Sequence, residues 1–331
     1  MVIDFEHHLQ PRKIWEKRGG KPGQTVMMRA PDGRLLRPLE DATHDIDIHL
    51  KNMDAAGIDM AVITGTSVES LEEVKIFNSH FADVAGKYPK RFSAFATAMP
   101  LKGVPAFDEL RRAVGDLGLK GVAINAQVEG CGLDDRRLWP FYEQVSELGV
   151  PIFVHPTLDT PGFDACRAPY DLSRTIVREF DLVLATLRIC LGGVLEDFPD
   201  LKFIIAHFGG GISSTKERLD RYVAYMKEDF WVGKPLISEP YAEHFNEYFG
   251  KIYFNMAGRE IGIETIKCAL TNISPKRLVF GTDYPPNFID DPEGMRTYIA
   301  KIRELDLDDE SIEAMLSTNG MELLGLERKD L

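Results

Sequence analysis

Residues 3–9 read IDFEHHL, an apolar start that runs into one carboxylate and two imidazoles. In an extended strand side chains alternate between faces. Ile3, Phe5 and His7 would then share one side, and Asp4, Glu6 and His8 the other. Glu6 and His8 would stand about 7 Å apart along the strand by its rise per residue, which suits two ligands of one metal ion. The plainer reading is a polar strand end reaching water. The same residue types recur at the ends of other apolar runs. FVHPT ends a run on His155, IIAHFGGG ends one on His207, and VFGTDYPP places Asp283 just beyond another. Three of the eight histidines and two acids thus finish four runs. Imidazoles and carboxylates that converge in this way build a metal centre.

These residues need a scaffold that brings strand ends together. Apolar runs at 2–8, 59–64, 92–98, 119–124, 151–155, 202–207, 251–255 and 277–282 supply strands. Between them lie amphipathic stretches, such as 50–60, 104–117 and 138–148, with apolar residues every three or four positions. Gly57 and Gly149 stand where helix stops belong. Eight strands alternating with helices predict a parallel sheet closed into a (β/α)8 TIM barrel, in one domain over 1–331. A doubly wound open sheet is the alternative, but no Gly-rich phosphate turn follows the first strand. Barrel active sites form at the carboxyl ends of the strands, where the residues above stand. The stretch 9–48 breaks the rhythm. It carries Arg12, Lys13, Lys17, Arg18, Lys21, Arg29, Arg34 and Arg37 among glycines and prolines. Its length predicts a lid or a disordered insertion. Its local charge would draw an anionic substrate to the barrel mouth.

Composition narrows the function classes. A chain of 331 residues that is 44% apolar can bury a large core. A net charge of −13 argues against nucleic acid, since no basic excess exists to neutralise phosphates. No apolar run approaches the ~20 residues of a membrane span, and no signal peptide precedes the first strand, so neither a membrane nor export is expected. Cys131, Cys166, Cys190 and Cys268 are scattered without CxxC pairs, as in a reduced, cytoplasmic protein.

Longer blocks carry a resemblance. NMDAAGIDMAVI at 52–63, YPKRFSAFATAMPL at 88–101, GLKGVAI at 118–124, LEDFPDLKFIIAHFGGG at 195–211, RLVFGTDYP at 277–285 and NGMELLGL at 319–326 are similar to the amidohydrolase superfamily. Within it they resemble the branch of aminocarboxymuconate-semialdehyde decarboxylase and γ-resorcylate decarboxylase. Members usually open with His-x-His; here Glu6 takes the first place, as in the hydroxybenzoate decarboxylases. The resemblance implies Glu6, His8, His155 and Asp283 as ligands, with His207 unligated beside the metal. No lysine ends the fourth strand, because Lys120 falls at its start, so one ion per chain is expected. Two carboxylates neutralise a divalent cation and shift preference from zinc towards manganese or magnesium, while imidazole keeps zinc possible, so manganese or zinc is expected. No organic cofactor is implied. The implied reaction is loss of CO₂ from an aromatic or unsaturated acid, the proton coming from Asp283 or His207. The alternative is hydrolysis or hydration by metal-activated water, for which a neutral site is the weaker Lewis acid. Arg218 and Arg259 are the predicted carboxylate forks. Phe208 and Tyr284, with Phe5 and Trp15, are the predicted wall for a ring. Asn255 stands where many relatives carry aspartate. Relatives in this branch are commonly dimers, so a homodimer or larger even-numbered oligomer is expected.

Overall fold

Strands buried on both faces must be apolar almost throughout, and the runs noted above meet that condition. A computed structural model describes residues 1–29, 33, 35–157, 160–163, 166, 172–226, 244–257 and 262–327. It contains eight parallel barrel strands: β1 (Ile3–His8), β2 (Met60–Thr64), β3 (Phe92–Ala94, continued by Ala96–Thr97), β4 (Val122–Asn125), β5 (Ile152–His155), β6 (Phe203–Ile205), β7 (Tyr253–Met256) and β8 (Leu278–Phe280). Each pairs with its sequence neighbour, in two runs that meet at the break in β3. There Phe95 N–H donates to Ile63 C=O and Ala96 N–H to Gly121 C=O. β8 returns to β1 beyond its end, where His8 N–H donates to Tyr284 C=O at 2.7 Å. The architecture is the predicted (β/α)8 barrel. Val62, Val122, Phe153, Ile204, Phe254 and Phe280 are all fully buried in it. Each such side chain stabilises the fold by about 1.5–3 kcal/mol.

Every crossover carries a helix whose apolar spacing matches its packing. Leu71–Lys87 turns Val74, Phe77, Phe81 and Val84 inward, and Ser70 caps its start by accepting from Glu73 N–H. The first barrel helix spans Ile46–Ala56 rather than 50–60. Asp45 caps it early, and Gly57, at φ +77°, ends it in the left-handed conformation that glycine adopts without strain. The predicted helix at 104–117 is α-helical over Val104–Arg111 and continues as a wider turn over Arg112–Asp116.

Two findings refine the sequence reading. Of the two expectations for 9–48, a lid or a disordered insertion, its described residues are ordered, with a short helix over Arg12–Lys17 and an antiparallel ribbon of Val26–Arg29 against Leu35–Leu39. Its Arg34 lies outside the described residues. Strict alternation also fails in β1. Asp4 pairs with Ala61 of β2 but His7 pairs with Ile63, so β1 carries one extra residue between them. Asp4 and His7 therefore meet side chain to side chain. Among the described residues no helix is long and apolar enough to cross a membrane.

Candidate metal centre and its cavity

Four of the residues singled out by spacing converge. One side-chain ligand atom from each of Glu6, His8, His155 and Asp283 lies within 4.8 Å of every other. β1 supplies the first two, β5 the third and the turn after β8 the fourth. The histidines are oriented by their outer nitrogens. His8 Nδ1 donates to Thr64 C=O at 3.2 Å and His155 Nδ1 to Pro156 C=O at 2.8 Å. Carbonyls only accept, so each Nδ1 bears the hydrogen and each Nε2 faces the cluster. His8 Nε2 is 2.8 Å from Asp283 Oδ1, and His155 Nε2 is 3.7 Å from Glu6 Oε1. His207 completes the group from the end of β6. Its Nε2 lies 3.7 Å from Glu6 Oε1 and 3.9 Å from Asp283 Oδ2. Its Nδ1 donates to Glu179 at 3.0 Å.

The backbone that delivers His207 is unusual. Residues 207–211 have φ of +51°, +53°, +63°, +67° and +76°, a full left-handed turn. Two of the three glycines in it stand at close approaches. A Cβ on Gly210 would sit 1.8 Å from Glu179 C=O, and one on Gly209 would sit 2.7 Å from the Phe254 ring.

Glu6 shows whether these residues suit a cation. It is wholly buried and neither carboxylate oxygen has a hydrogen-bond partner. Desolvation pushes its acid up, against the pull of His207. A buried carboxylate left bare is costly unless paired or bound to a metal. His207 Nε2 is likewise without a partner. Burial would raise Asp283 too, but the hydrogen bond and charge of His8 bring it down to about 2. Burial holds His155 well below the ordinary histidine range. It acts the same way on His207, where the Glu179 and Glu6 charges prevail and raise it. Two acids and two neutral-capable imidazoles form a mixed oxygen–nitrogen donor set that fits one divalent ion.

The cluster floors a cavity of about 910 Å³. The 9–48 segment walls it with Gln10, Arg18, Leu36, Arg37, Pro38 and Thr43, and the crossover after β5 adds Thr175, Ile176, Arg178 and Glu179. Arg18 donates to Ser67 C=O and to Glu73 but leaves Nη1 unpaired. Arg37 has no partner at Nε, and Gln10, in the amide orientation that satisfies it, accepts from both Arg37 amino groups at 3.2 Å.

Of the predicted substrate contacts, those among the described residues do not line the cavity. Arg218 is exposed and lies against the Tyr222 ring and hydroxyl, away from the cavity lining. It belongs to the outer side of helix Lys216–Met226. Arg259 lies outside the described residues, as do 158, 159, 164, 165 and 167–171 of the loop after β5. Phe208, Tyr284, Phe5 and Trp15 are core side chains that do not line the cavity. Tyr284 stacks on His7 and accepts from Asn52, while Trp15 packs on His44. Asn255 is buried beside Gly281 with its amide unpaired. Glu179 and Asn287, which donates to Asp283 Oδ2, went unread. Neither stands in a motif.

A family model described as Amidohydrolase matches residues 3–326. A 2-amino-3-carboxymuconate-6-semialdehyde decarboxylase from Dictyostelium discoideum is 28% identical over 89% of this chain and 81% of its own. A γ-resorcylate decarboxylase from Rhizobium sp. (strain MTP-10005) is 28% identical over 86% of this chain and 88% of its own. Among solved structures, 5-carboxyvanillate decarboxylase from Novosphingobium aromaticivorans, complexed with manganese and 4-hydroxy-3-methoxy-5-nitrobenzoic acid, superposes with a TM-score of 0.78. It is 20% identical and covers 98% of this chain and 96% of its own.

Proposed function

We propose that this chain, which belongs to the amidohydrolase family, is a metal-dependent, non-oxidative decarboxylase of an aromatic or unsaturated carboxylic acid of the hydroxybenzoate kind. The observation that carries the reading is the fully buried Glu6 carboxylate, set without a hydrogen bond among His8, His155 and Asp283, at the floor of a cavity that arginines line. These four residues would hold one divalent ion, manganese by preference and zinc as the alternative. When bound, the ion supplies an electrophilic anchor for the acid's carboxylate and a neighbouring oxygen.

The chain's own groups do the rest. Arg18 and Arg37 line the cavity, and their guanidinium charges draw in the anion. Leu36, Pro38 and Ile176 give a ring an apolar wall. Asp283, which is held ionised and must first take a proton from the bound acid, or His207 as its rival, which its carboxylate neighbours keep protonated, delivers a proton to the carbon that bears the carboxylate. The carbon–carboxylate bond breaks and its electron pair returns to the ring as CO₂ leaves. Glu179 keeps the His207 ring aimed at this point. The similarity to decarboxylases over most of the chain supports this chemistry over hydrolysis.

We read the protein as cytoplasmic and dimeric. Leu172, Ile176, Phe180 and Leu184 are exposed at four-residue intervals along one helix, an apolar stripe that a second copy would cover. Incubation of manganese-loaded protein with a panel of hydroxybenzoates should release CO₂ with loss of the acid's ultraviolet absorbance. In D₂O one deuterium should appear at the carbon that lost its carboxylate. Product that takes up oxygen from labelled water without CO₂ release would instead establish hydrolysis or hydration.

A further inference from the structure

Glu6 and His8 reach the cluster from β1, and Asp283 reaches it from the turn after β8. The two carriers are tied together by a fifth side chain. Asp4 is fully buried and accepts four hydrogen bonds. Oδ1 takes Glu6 N–H at 3.1 Å and Thr282 N–H at 2.9 Å. Oδ2 takes the Thr282 hydroxyl at 2.6 Å and His7 Nδ1 at 2.9 Å. The first of these closes a local turn of the kind that aspartate forms with the amide two residues on. It coincides with the extra residue in β1, between Asp4 and His7. The middle two hold the residue before Asp283, which itself has a left-handed φ of +55°. The last extends through His7 Nε2 to His49 Nδ1 at 2.8 Å, and His49 Nε2 donates to Ala42 C=O at 2.6 Å.

From this geometry we propose that Asp4 is the positioning residue of the metal centre. It touches neither metal nor substrate. It sets the bulge that presents Glu6 and His8, and it clamps that bulge to Thr282 so that Asp283 meets them. Neither neighbour can move without breaking bonds to one shared carboxylate. Asparagine cannot replace it in full, because its amide nitrogen can accept none of the four donors. The inference rests on reading Glu6, His8, His155 and Asp283 as one metal centre, and it assigns Asp4 a role toward that centre.

The test is manganese titration of the metal-free protein by calorimetry, with the paramagnetic resonance spectrum of the bound ion as a second signature. The metal-free melting temperature serves as the measure of folding. Asp4→Asn should bind manganese about 10–100-fold more weakly, the usual scale for losing a group that orients ligands. Its manganese spectrum should also be altered. Thr282→Val removes the hydroxyl link and should weaken binding in the same direction, whereas Thr282→Ser should retain wild-type affinity. A folded Asp4→Asn protein with wild-type affinity and spectrum overturns the proposal. If that variant does not fold, equal affinity in Thr282→Val and Thr282→Ser overturns it. Wild-type protein that binds no divalent ion would strike down the reading of the centre itself, a separate failure seen before any variant is made.

Discussion

Arg37 should be a residue that the ligand-free protein would be more stable without. Burial, with the nearby charge of Arg18, lowers its guanidinium from 12.5 to about 10. A basic group depressed in this way is charged at neutral pH in both folded and unfolded chains. Folding therefore bears the whole penalty at pH 7, and relief comes only as the pH rises through about 10. At about 1.4 kcal/mol for each tenfold step the penalty is about 3 kcal/mol, and water in the open cavity screens it to about 1–3 kcal/mol. Arg37→Met keeps the stem and removes the charge. Urea denaturation at pH 7 should show the metal-free variant more stable than wild type by that amount. The advantage should shrink only as the pH rises through about 10. Turnover should move the other way. A charge-assisted hydrogen bond to the acid contributes about 1.5–3 kcal/mol, so KM should rise about 10–100-fold. A variant less stable than wild type would mean that the guanidinium is well paired in the empty protein. An unchanged KM would mean that it does not hold the substrate.

Other outcomes follow from the same geometry. Purified protein should carry about one divalent ion per chain by elemental analysis, and Glu6→Ala and His155→Ala should each lose metal along with activity; two ions per chain, or full activity after exhaustive chelation, would refute this. Asp283→Asn keeps one ligand oxygen but no ionisable group, so it should still bind a hydroxybenzoate while turnover falls by ~10² or more. Wild-type turnover in that variant would remove Asp283 from the proton path and leave His207. Light scattering at micromolar concentration should report a dimer, and Phe180→Lys should shift it towards monomer; an active wild-type monomer would contradict that reading.

The barrel strands were legible because burial on both faces leaves uninterrupted apolar runs, and the convergence of Glu6, His8, His155 and Asp283 because they stand at or just beyond strand ends. The bulge in β1 was not, since IDFEHHL reads as a regular strand until Asp4 is seen to accept the Glu6 amide. Arg218 looked like a substrate fork from its neighbours in sequence, but helical rotation turns it to water. Arg18 and Arg37 were visible only as part of a basic group. Their selection depends on which of those side chains faces the cavity, a property of the folded ribbon and short helix. Glu179 meets His207 from 28 residues away, and no local pattern encodes that distance.

The left-handed turn at 207–211 divides the cavity wall into parts of unequal evolvability. His207 and Phe208 already occupy a conformation that costs about 1–2 kcal/mol each for an L-residue. A side chain at Gly210 would collide with backbone, and one at Gly209 with the Phe254 ring. This part of the wall cannot drift by single substitutions, whatever acid is selected for. The part on the Leu35–Leu39 strand has no such restriction: Leu36, Arg37 and Pro38 line the cavity and are only half-buried. A saturation library scored for folding should therefore return few tolerated codons at 209 and 210 and many at 36. New substrates would be reached by rewriting the ribbon while the histidine turn stays as it is.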